Sequence, residues 1–378
     1  MDVAELIAAT PIEPRPYQQR IVEKAVDAFT RQELRSVLID SPTGSGKTVM
    51  GLLIARTLQE TLGVRTGWVA MRRNLLAQAA AENQTRGLGV RAAFVSMFDK
   101  DPPRPLDLLV VDEAQHDAAG SMAHLHNLIR PRFILGLSAT PFRSDRVKLC
   151  FDRVLKDAGI HRLIQDGYLS PYHHYTLPSY APEAVAEAYA ADPERWGRSL
   201  IYFHTLGACR RAEAVLRGRG IACDVVTGQS DREGQIEAFR EGRLRVLLNC
   251  VVLAEGFDCP QLRTVFCRPS CKSVTVQMCG RVLRRFPGLA HKQVVQCVAT
   301  RWPFVRTASA AQQFRWTENG WRTVAVNGRV DEVSGRMLSV LARVEVKLPA
   351  LLTRAQAGAR RRPRRERDGE GGAVRFGL

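Results

Sequence analysis

The chain has no run of 18 apolar residues, the length a membrane-spanning helix needs. It has no Cys-x-x-Cys pair. Its nine cysteines are scattered, and the nearest two are Cys267 and Cys271. A structural zinc asks for two close pairs of ligands, so no zinc is expected and the thiols read as reduced. His173-His174 and His124/His126 lack a matching carboxylate or Cys set, so no histidine metal site is expected either. No Ser–His–Asp set and no glycosidase-like carboxylate pair stands out. The first residues, Met1 to Glu5, lack a basic segment followed by an apolar one. A secretory signal is therefore not expected, and a cytoplasmic location is. Acidic residues are in short supply: 38 against 55 basic ones, a net charge of +17. Such an excess points to a polyanion, most simply nucleic acid. The preference for Arg over Lys suits a GC-rich coding sequence, which does not explain the net excess.

What remains is ordinary for a folded chain: 45% apolar and 25% charged residues. At roughly 150 residues per domain, 378 residues make two domains and a remainder. Short apolar runs alternate with helical patterns, the mark of parallel α/β layers. In the first half the runs are Ser36 to Asp40, Thr66 to Met71, Ala92 to Ser96, Leu106 to Asp112 and Phe133 to Ser138. Runs apolar on both faces suit a buried parallel sheet. Helices are expected over 48–62 and 74–84. In the second half the runs are Leu200 to Phe203, Ala222 to Val226, Val246 to Leu248, Thr264 to Cys267 and Val294 to Val298.

The expected organisation is an α/β domain over 1–168, a Pro-, Tyr- and Ala-rich linker over 169–198 and a second α/β domain over 199–300. A small β/α module over 301–353 and an Arg-rich disordered tail over 354–378 complete it. Asn319-Gly320 and Asn327-Gly328 predict a ribbon over 314–333, followed by a helix from about Gly335. Trp302, Trp316 and Trp321 lie near many arginines; they read as the core of a small sheet or as base-stacking platforms. The tail, with Arg360-Arg361-Arg362-Pro363-Arg364-Arg365, reads as an electrostatic tether to phosphates or as a solvated end.

The strand ending at Asp40 runs into Ser41-Pro42-Thr43-Gly44-Ser45-Gly46-Lys47-Thr48 and then an apolar helix. Strand, loop and helix in that order are the setting a phosphate loop needs. Gly44 and Gly46 let the backbone curl, so that N–H groups from Thr43 to Lys47 face phosphate oxygens. The helix adds its positive N-terminal end. Lys47 is expected on the β- and γ-phosphates and Thr48 on Mg²⁺. Farther along, Leu109-Val110-Val111-Asp112-Glu113-Ala114-Gln115-His116 ends an apolar run in two carboxylates. Asp112 is expected to hold Mg²⁺ through water, and Glu113 to orient and deprotonate the attacking water. The second carboxylate points to a hydrolase rather than a small-molecule kinase. ATP and Mg²⁺ are the implied substrate and cofactor.

In this order the motifs resemble those of superfamily 2 helicases, the DEAD/DEAH-like group with two tandem RecA-like P-loop domains, over about residues 14–300. The resemblance implies further roles. Arg15-Pro16-Tyr17-Gln18 is similar to the family's adenine-reading element, so Arg15 and Gln18 become base-site candidates. Arg72, in a segment similar to motif Ia, is implied on the nucleic-acid backbone. Asp112 to Gln115 is motif II in a DEAQ form, which adds Gln115 to the catalytic set. Ser138-Ala139-Thr140-Pro141 resembles motif III, so Ser138 and Thr140 would couple hydrolysis to strand movement. Leu200 to Thr205 resembles motif IV, and Thr227-Gly228 a second-domain backbone contact, which makes Thr205 and Thr227 nucleic-acid candidates. Asn249 to Pro260 resembles motif V, with Asn249 toward nucleic acid and Gly256 and Asp258 toward nucleotide. Gln277-Met278-Cys279-Gly280-Arg281-Val282-Leu283-Arg284 resembles motif VI, with Gln277 coupling. Arg281 and Arg284 would reach the γ-phosphate when the cleft closes. A delocalised guanidinium suits the spread charge of phosphoryl transfer, and such a finger contributes on the order of 10³–10⁵ in rate.

Two departures stand out. Met278 sits where motif VI often has Arg, and no strand-separating pin is identifiable. Gly136 to Arg143, Gly167-Tyr168-Leu169-Ser170-Pro171, Gly256-Phe257-Asp258-Cys259-Pro260 and Arg268-Pro269-Ser270 are similar to the ResIII-type branch, which includes RadD-like DNA repair helicases. The implied function is ATP-driven unwinding or translocation on nucleic acid, DNA before RNA. No membrane partner is implied, and the C-terminal module or tail is left as a protein-binding surface. An RNA helicase, the motor subunit of a restriction or nuclease system, and a non-catalytic binder with a relic ATP site stay open from sequence.

Overall fold

The computed structural model describes residues 3–116, 120–139, 151–250, 257, 259–318 and 320–324. Apolar runs become strands wherever both faces are covered. Six strands, β1 (Ser36–Asp40), β2 (Thr66–Ala70), β3 (Ala92–Ser96), β4 (Leu108–Asp112), β5 (Phe133–Ser138) and β6 (Arg153–Leu155), form one sheet in the order β3-β2-β4-β5-β1-β6. Every pairing in it is parallel. Val37, Ile39, Trp68 and Val110 pack into a core on one face, and Leu38, Val69, Leu109 and Val111 into a core on the other. This alternation of two buried faces is why the strands read as unbroken apolar runs. Helices Lys47–Leu62 and Arg73–Thr85 lie close to the predicted spans.

A second sheet has eight strands: β7 (Tyr172–Leu177), β8 (Ser199–Tyr202), β9 (Cys223–Val226), β10 (Val246–Asn249), β11 (Thr264–Phe266), β12 (Lys292–Cys297), β13 (Gln312–Thr317) and β14 (Gly320–Val324). Their order is β14-β13-β7-β12-β11-β8-β10-β9. Only the β13–β14 hairpin is antiparallel among these pairings. Again two cores flank the sheet, with Leu200, Tyr202 and Val294 on one side and Ile201, Phe203 and Val295 on the other.

The structure corrects the expected linker. Residues 169–198 carry β7, which lies between β12 and β13, and helices Pro182–Ala190 and Pro193–Trp196. The aromatic residues that suggested a linker are core residues. Trp196 is fully buried, edge-on to Tyr175 at 4.9 Å and to Phe266 at 5.3 Å. Truncating such a residue to Ala costs about 3–5 kcal/mol. The small module is corrected as well. β13 and β14 pair from Gln313↔Val324 to Thr317↔Gly320, β13 pairs in parallel with β7, and residues 325–333 of the ribbon expected over 314–333 lie outside the described residues. Residues 312–324 thereby extend the second sheet, and residues 325–353 of the module expected over 301–353 lie outside the described residues. Phe314 and Trp321 pack on Tyr175, the core role for at least one of the expected tryptophans. The helix expected from Gly335 and the tail over 354–378 lie outside the described residues. No helix among the described residues is long and apolar enough to cross a membrane.

Candidate nucleotide-binding cleft

The chain leaves β1 at Asp40, whose carboxylate accepts a 2.9 Å hydrogen bond from the Lys156 ammonium. It then turns through Ser41 to Gly46 into helix Lys47–Leu62. The turn is braced from inside. The Ser41 N–H donates to the Ser138 carbonyl at 3.0 Å, and the Ser41 hydroxyl donates to the Ser45 hydroxyl at 2.8 Å. Gly46 caps the helix in the left-handed region, φ +80°, and offers no capping side chain. The first-turn N–H groups are thus left for an anion.

Tyr17 and Gln18 brace the turn from outside. The Tyr17 hydroxyl and the Gln18 Nε2 both donate to the Ser45 carbonyl, at 2.6 and 2.8 Å. Gln18 Oε1 accepts from the Arg15 N–H at 2.9 Å. The Gln18 amide, a base-site candidate from sequence, therefore joins the upstream segment to the phosphate loop. It packs so closely that a Cβ on Gly46 would lie 2.4 Å from Gln18 Nε2.

Asp112 ends β4 beside this loop. Glu113 follows with φ +53°, a left-handed conformation for a residue with a side chain. Its N–H donates to Asp112 Oδ1 at 3.0 Å. Gln115 Nε2 donates to Glu113 Oε2 at 2.8 Å, and the Ser138 hydroxyl donates to Gln115 Oε1 at 2.7 Å. A continuous chain of hydrogen bonds thus joins the acidic pair to the end of β5. Thr140, the other coupling candidate, lies outside the described residues.

Burial pushes the Asp112 carboxyl up to about 7, and Glu113 beside it adds to the rise; Lys47 and Arg281 oppose it. Burial pushes the Lys47 ammonium down, against the attraction of Glu113 and Asp112, while Arg281 and Arg284 push it down further. Five charged groups, from distant parts of the sequence, therefore share one poorly solvated space.

The second half supplies the arginines. Helix Lys272–Gly280 carries Gln277 and ends at Arg281, whose Nη1 donates to the Phe257 carbonyl at 3.1 Å. Arg281 is only 7% exposed. Burial lowers the Arg284 guanidinium to about 10, and Glu82 on helix Arg73–Thr85 opposes that shift. Met278, the departure from the family pattern, is buried in the second domain's core. Together these groups line a cavity of about 540 Å³ that holds Gln18, Thr43, Gly44, Lys47, Thr48, Asp112, Glu113, Arg281 and Arg284.

Several lining residues were not site candidates from sequence, Glu82, Tyr168 and Arg285 among them. The Arg15 guanidinium lies over the Tyr168 ring at 4.9 Å, Tyr168 meets Tyr17 edge-on, and Arg285 Nη1 donates to the Gly167 carbonyl at 2.8 Å. Tyr168 belongs to the Gly167–Pro171 segment similar to the ResIII-type branch; Glu82 and Arg285 sit in no quoted motif, and only packing brings them to the cleft.

The nucleic-acid candidates lie elsewhere, at strand ends. Arg72 follows β2 and opens helix Arg73–Thr85. The Thr205 hydroxyl caps helix Leu206–Gly218 by accepting from the Ala208 N–H at 3.2 Å. The Thr227 hydroxyl accepts from the N–H groups of Gln229 and Ser230. Both threonines thus do local capping work. Asn249 closes β10 fully buried, and its side-chain amide has no hydrogen-bond partner among the described residues. Gly256 and Asp258 lie outside the described residues.

Among the described residues no group of three or more His, Cys, Asp or Glu could hold a metal ion. Thr48 and Asp112 offer one hydroxyl and one carboxylate at the cleft. That sparse oxygen set fits Mg²⁺, which is usually held by one or two carboxylates together with substrate phosphates.

Both halves of the chain match known protein families. Residues 11–89 match the family of the type III restriction enzyme res subunit, and residues 181–286 match the helicase conserved C-terminal domain. A 51.5 kDa protein of a Lactococcus phage is 25% identical over 267 residues, 62% of this chain and 59% of the relative. A Saccharomyces cerevisiae protein named for an ATP-dependent helicase, IRC3, is 22% identical over 412 residues, 91% of this chain and 60% of the relative. The chain thus spans less than two thirds of either relative. Among solved structures, the ATP-dependent type ISP restriction-modification enzyme LlaBIII bound to DNA has a TM-score of 0.58 at 15% identity, covering 78% of this chain and 28% of that one. Saccharomyces cerevisiae Dbp5 bound to RNA and ADP BeF3 has a TM-score of 0.58 at 17% identity, covering 90% and 97%. Two RecA-like domains in tandem, the first matching the res-subunit family and the second the helicase C-terminal domain, place the chain among superfamily 2 helicases of the ResIII type.

Proposed function

We propose that the protein is an ATP hydrolase whose turnover drives movement along nucleic acid, DNA in preference to RNA. One observation carries the reading: Lys47, Asp112 and Glu113 share a single cavity with Arg281 and Arg284 of the other domain. The N–H groups of the loop and the Lys47 ammonium bind the phosphates. Glu113, held by Gln115, orients the water and takes its proton. Arg281 and Arg284 place positive charge where it develops on the transferred group. Thr48 and Asp112 would hold Mg²⁺, which would supply neutralisation of the phosphate charge. Because the arginines come from the second domain, closing the cleft completes the site and opening it dismantles the site. The chain Glu113–Gln115–Ser138 links that cycle to the first domain's strand ends, where Arg72 sits after β2.

The net charge of +17 and the res-subunit match support a DNA substrate. The test is steady-state ATP hydrolysis without polymer and with single-stranded DNA, duplex DNA and single-stranded RNA, at two salt concentrations. Stimulation by DNA above RNA is expected. Stimulation by RNA alone would move the protein to RNA remodelling, and stimulation by neither would remove the motor reading.

A further inference from the structure

Basic residues of the second domain fall into two groups. On one side the arginines are neutralised: Arg211 pairs with Glu183 at 2.8 Å, Arg217 with Glu213 at 2.9 Å, Arg219 with Glu187 at 3.0 Å and Arg245 with Glu194 at 2.7 Å. Residues 260–324 differ sharply. They hold eleven Lys and Arg against a single carboxylate, Glu318. Six of the eleven serve the cleft or brace loops. The other five, Lys272, Arg301, Arg306, Arg315 and Arg322, are exposed and make no ion pair among the described residues.

The sheet brings four of these together. Arg315 on β13 stands directly opposite Arg322 on β14. Like charges in that position repel, so folding carries a penalty that a bound anion would remove. Arg315 pairs in register with Thr176, and Thr176 with Gln296. Paired residues share a face, so the row continues from the hairpin to Gln296. There Gln296 Nε2 donates to the Trp302 carbonyl at 3.2 Å. The half-buried Trp302 ring has the Arg306 guanidinium at 4.2 Å and the Lys272 ammonium at 5.1 Å. Cations in a row beside an aromatic ring are the groups with which proteins hold a single strand, phosphates on the cations and a base on the ring.

We propose that this face of the second sheet, from Trp302 to the β13–β14 hairpin, is a second binding surface for single-stranded nucleic acid, separate from the motor's strand-end contacts at Arg72, Thr205, Thr227 and Asn249. It recognises the sugar–phosphate backbone and therefore takes any sequence. Its task is to hold the strand while the cleft opens and the motor contacts are released. The surface itself follows from charge and register; that task rests on the motor reading above.

The test uses the full chain and the exposed-site variant R315A/R322A, with R315E/R322E as a stronger version and W302A to probe the ring. Binding of labelled single-stranded DNA and RNA is measured across a salt series, with oligomers of about ten nucleotides, enough for one site, and of about thirty, enough for two. On the longer oligomers R315A/R322A is expected to bind about tenfold more weakly, with a salt slope smaller by roughly 1.4, the loss of two phosphate contacts on a single strand. R315E/R322E is expected to bind more weakly still. W302A is expected to weaken binding at an unchanged slope, because stacking releases no counterions. The shorter oligomers and polymer-free ATP hydrolysis are expected to match wild type. Unchanged affinity and slope on the longer oligomers would overturn the surface, as would equal weakening on both lengths. If the wild-type ATPase ignores every polymer while R315A/R322A still shows the length-dependent loss, the motor reading fails and the surface stands.

Discussion

Arg284 of the second domain lies against Gly44 of the phosphate loop in the first: a Cβ on Gly44 would meet Arg284 Cγ at 3.4 Å. The two residues are far apart in the chain and touch only because the domains face each other across the cleft. On the proposed function, such contact would let one domain sense what the other has bound. Arg284→Ala is therefore expected to keep ATP affinity within a few-fold and to lower turnover by about 10³-fold. Arg284→Lys should not restore it, because an ammonium cannot reproduce the planar fork. Equilibrium binding of a fluorescent ATP analogue, measured beside turnover, checks this. Equal loss of both would assign Arg284 a structural role.

Lys47→Ala is expected to abolish measurable hydrolysis while the thermal unfolding midpoint stays within a few degrees of wild type. The Lys47 ammonium sits in a space that burial makes costly for charge, so removing it does not harm the fold. Normal turnover in this variant would sink the site assignment.

Ser138→Ala removes the hydroxyl that donates to Gln115 Oε1 and leaves Gln115 free to turn away from Glu113. Polymer-stimulated turnover is expected to fall roughly tenfold, about the loss of 1.4 kcal/mol of transition-state stabilisation, at nearly constant KM. A change in KM alone would show that the link serves binding and not the chemical step.

Gly46→Ala meets two obstacles at once, a φ of +80° and the Gln18 amide 2.4 Å from the new Cβ. It should weaken ATP binding at least tenfold. The double variant Gln18→Ala/Gly46→Ala should regain only the part due to the clash, since backbone strain persists. Isothermal titration with ATP separates the two contributions.

Lys292 is fully buried, and its ammonium donates to the Pro260 and Leu262 carbonyls at 2.7 and 2.6 Å. Burial lowers it from 10.5 to about 8. Between those values the unfolded chain keeps a proton that the folded chain has released. Lys292 therefore makes stability rise with pH over about 8 to 10.5, with its full penalty present below 8. Urea unfolding of wild type and Lys292→Met across that range should show a steeper rise for wild type. Parallel curves would refute the assignment.

Much of this protein was legible in its sequence, for local reasons. The phosphate loop is a short-range device: Gly44, Gly46, Lys47 and Thr48 lie within one turn, so residue type and spacing suffice. The buried parallel strands announced themselves because both their faces are apolar, and Asp112-Glu113 sits where such a strand must end. β7 stayed hidden because Tyr172, His173, His174 and Tyr175 carry polar atoms. Only packing shows that the Tyr172 hydroxyl donates to the Ala308 carbonyl and that His174 meets Gln296.

Composition, strand periodicity and the ordered motifs determined two α/β domains and a candidate nucleotide site, because each depends on neighbours within a few residues. Tertiary structure alone decided that Arg281 and Arg284 meet Lys47 across a cleft, that Gln115 is tied to Ser138, and that Arg315, Arg322 and Trp302 share one face. Those relations join residues distant in the chain, and burial of the intervening apolar surface is what brings them together.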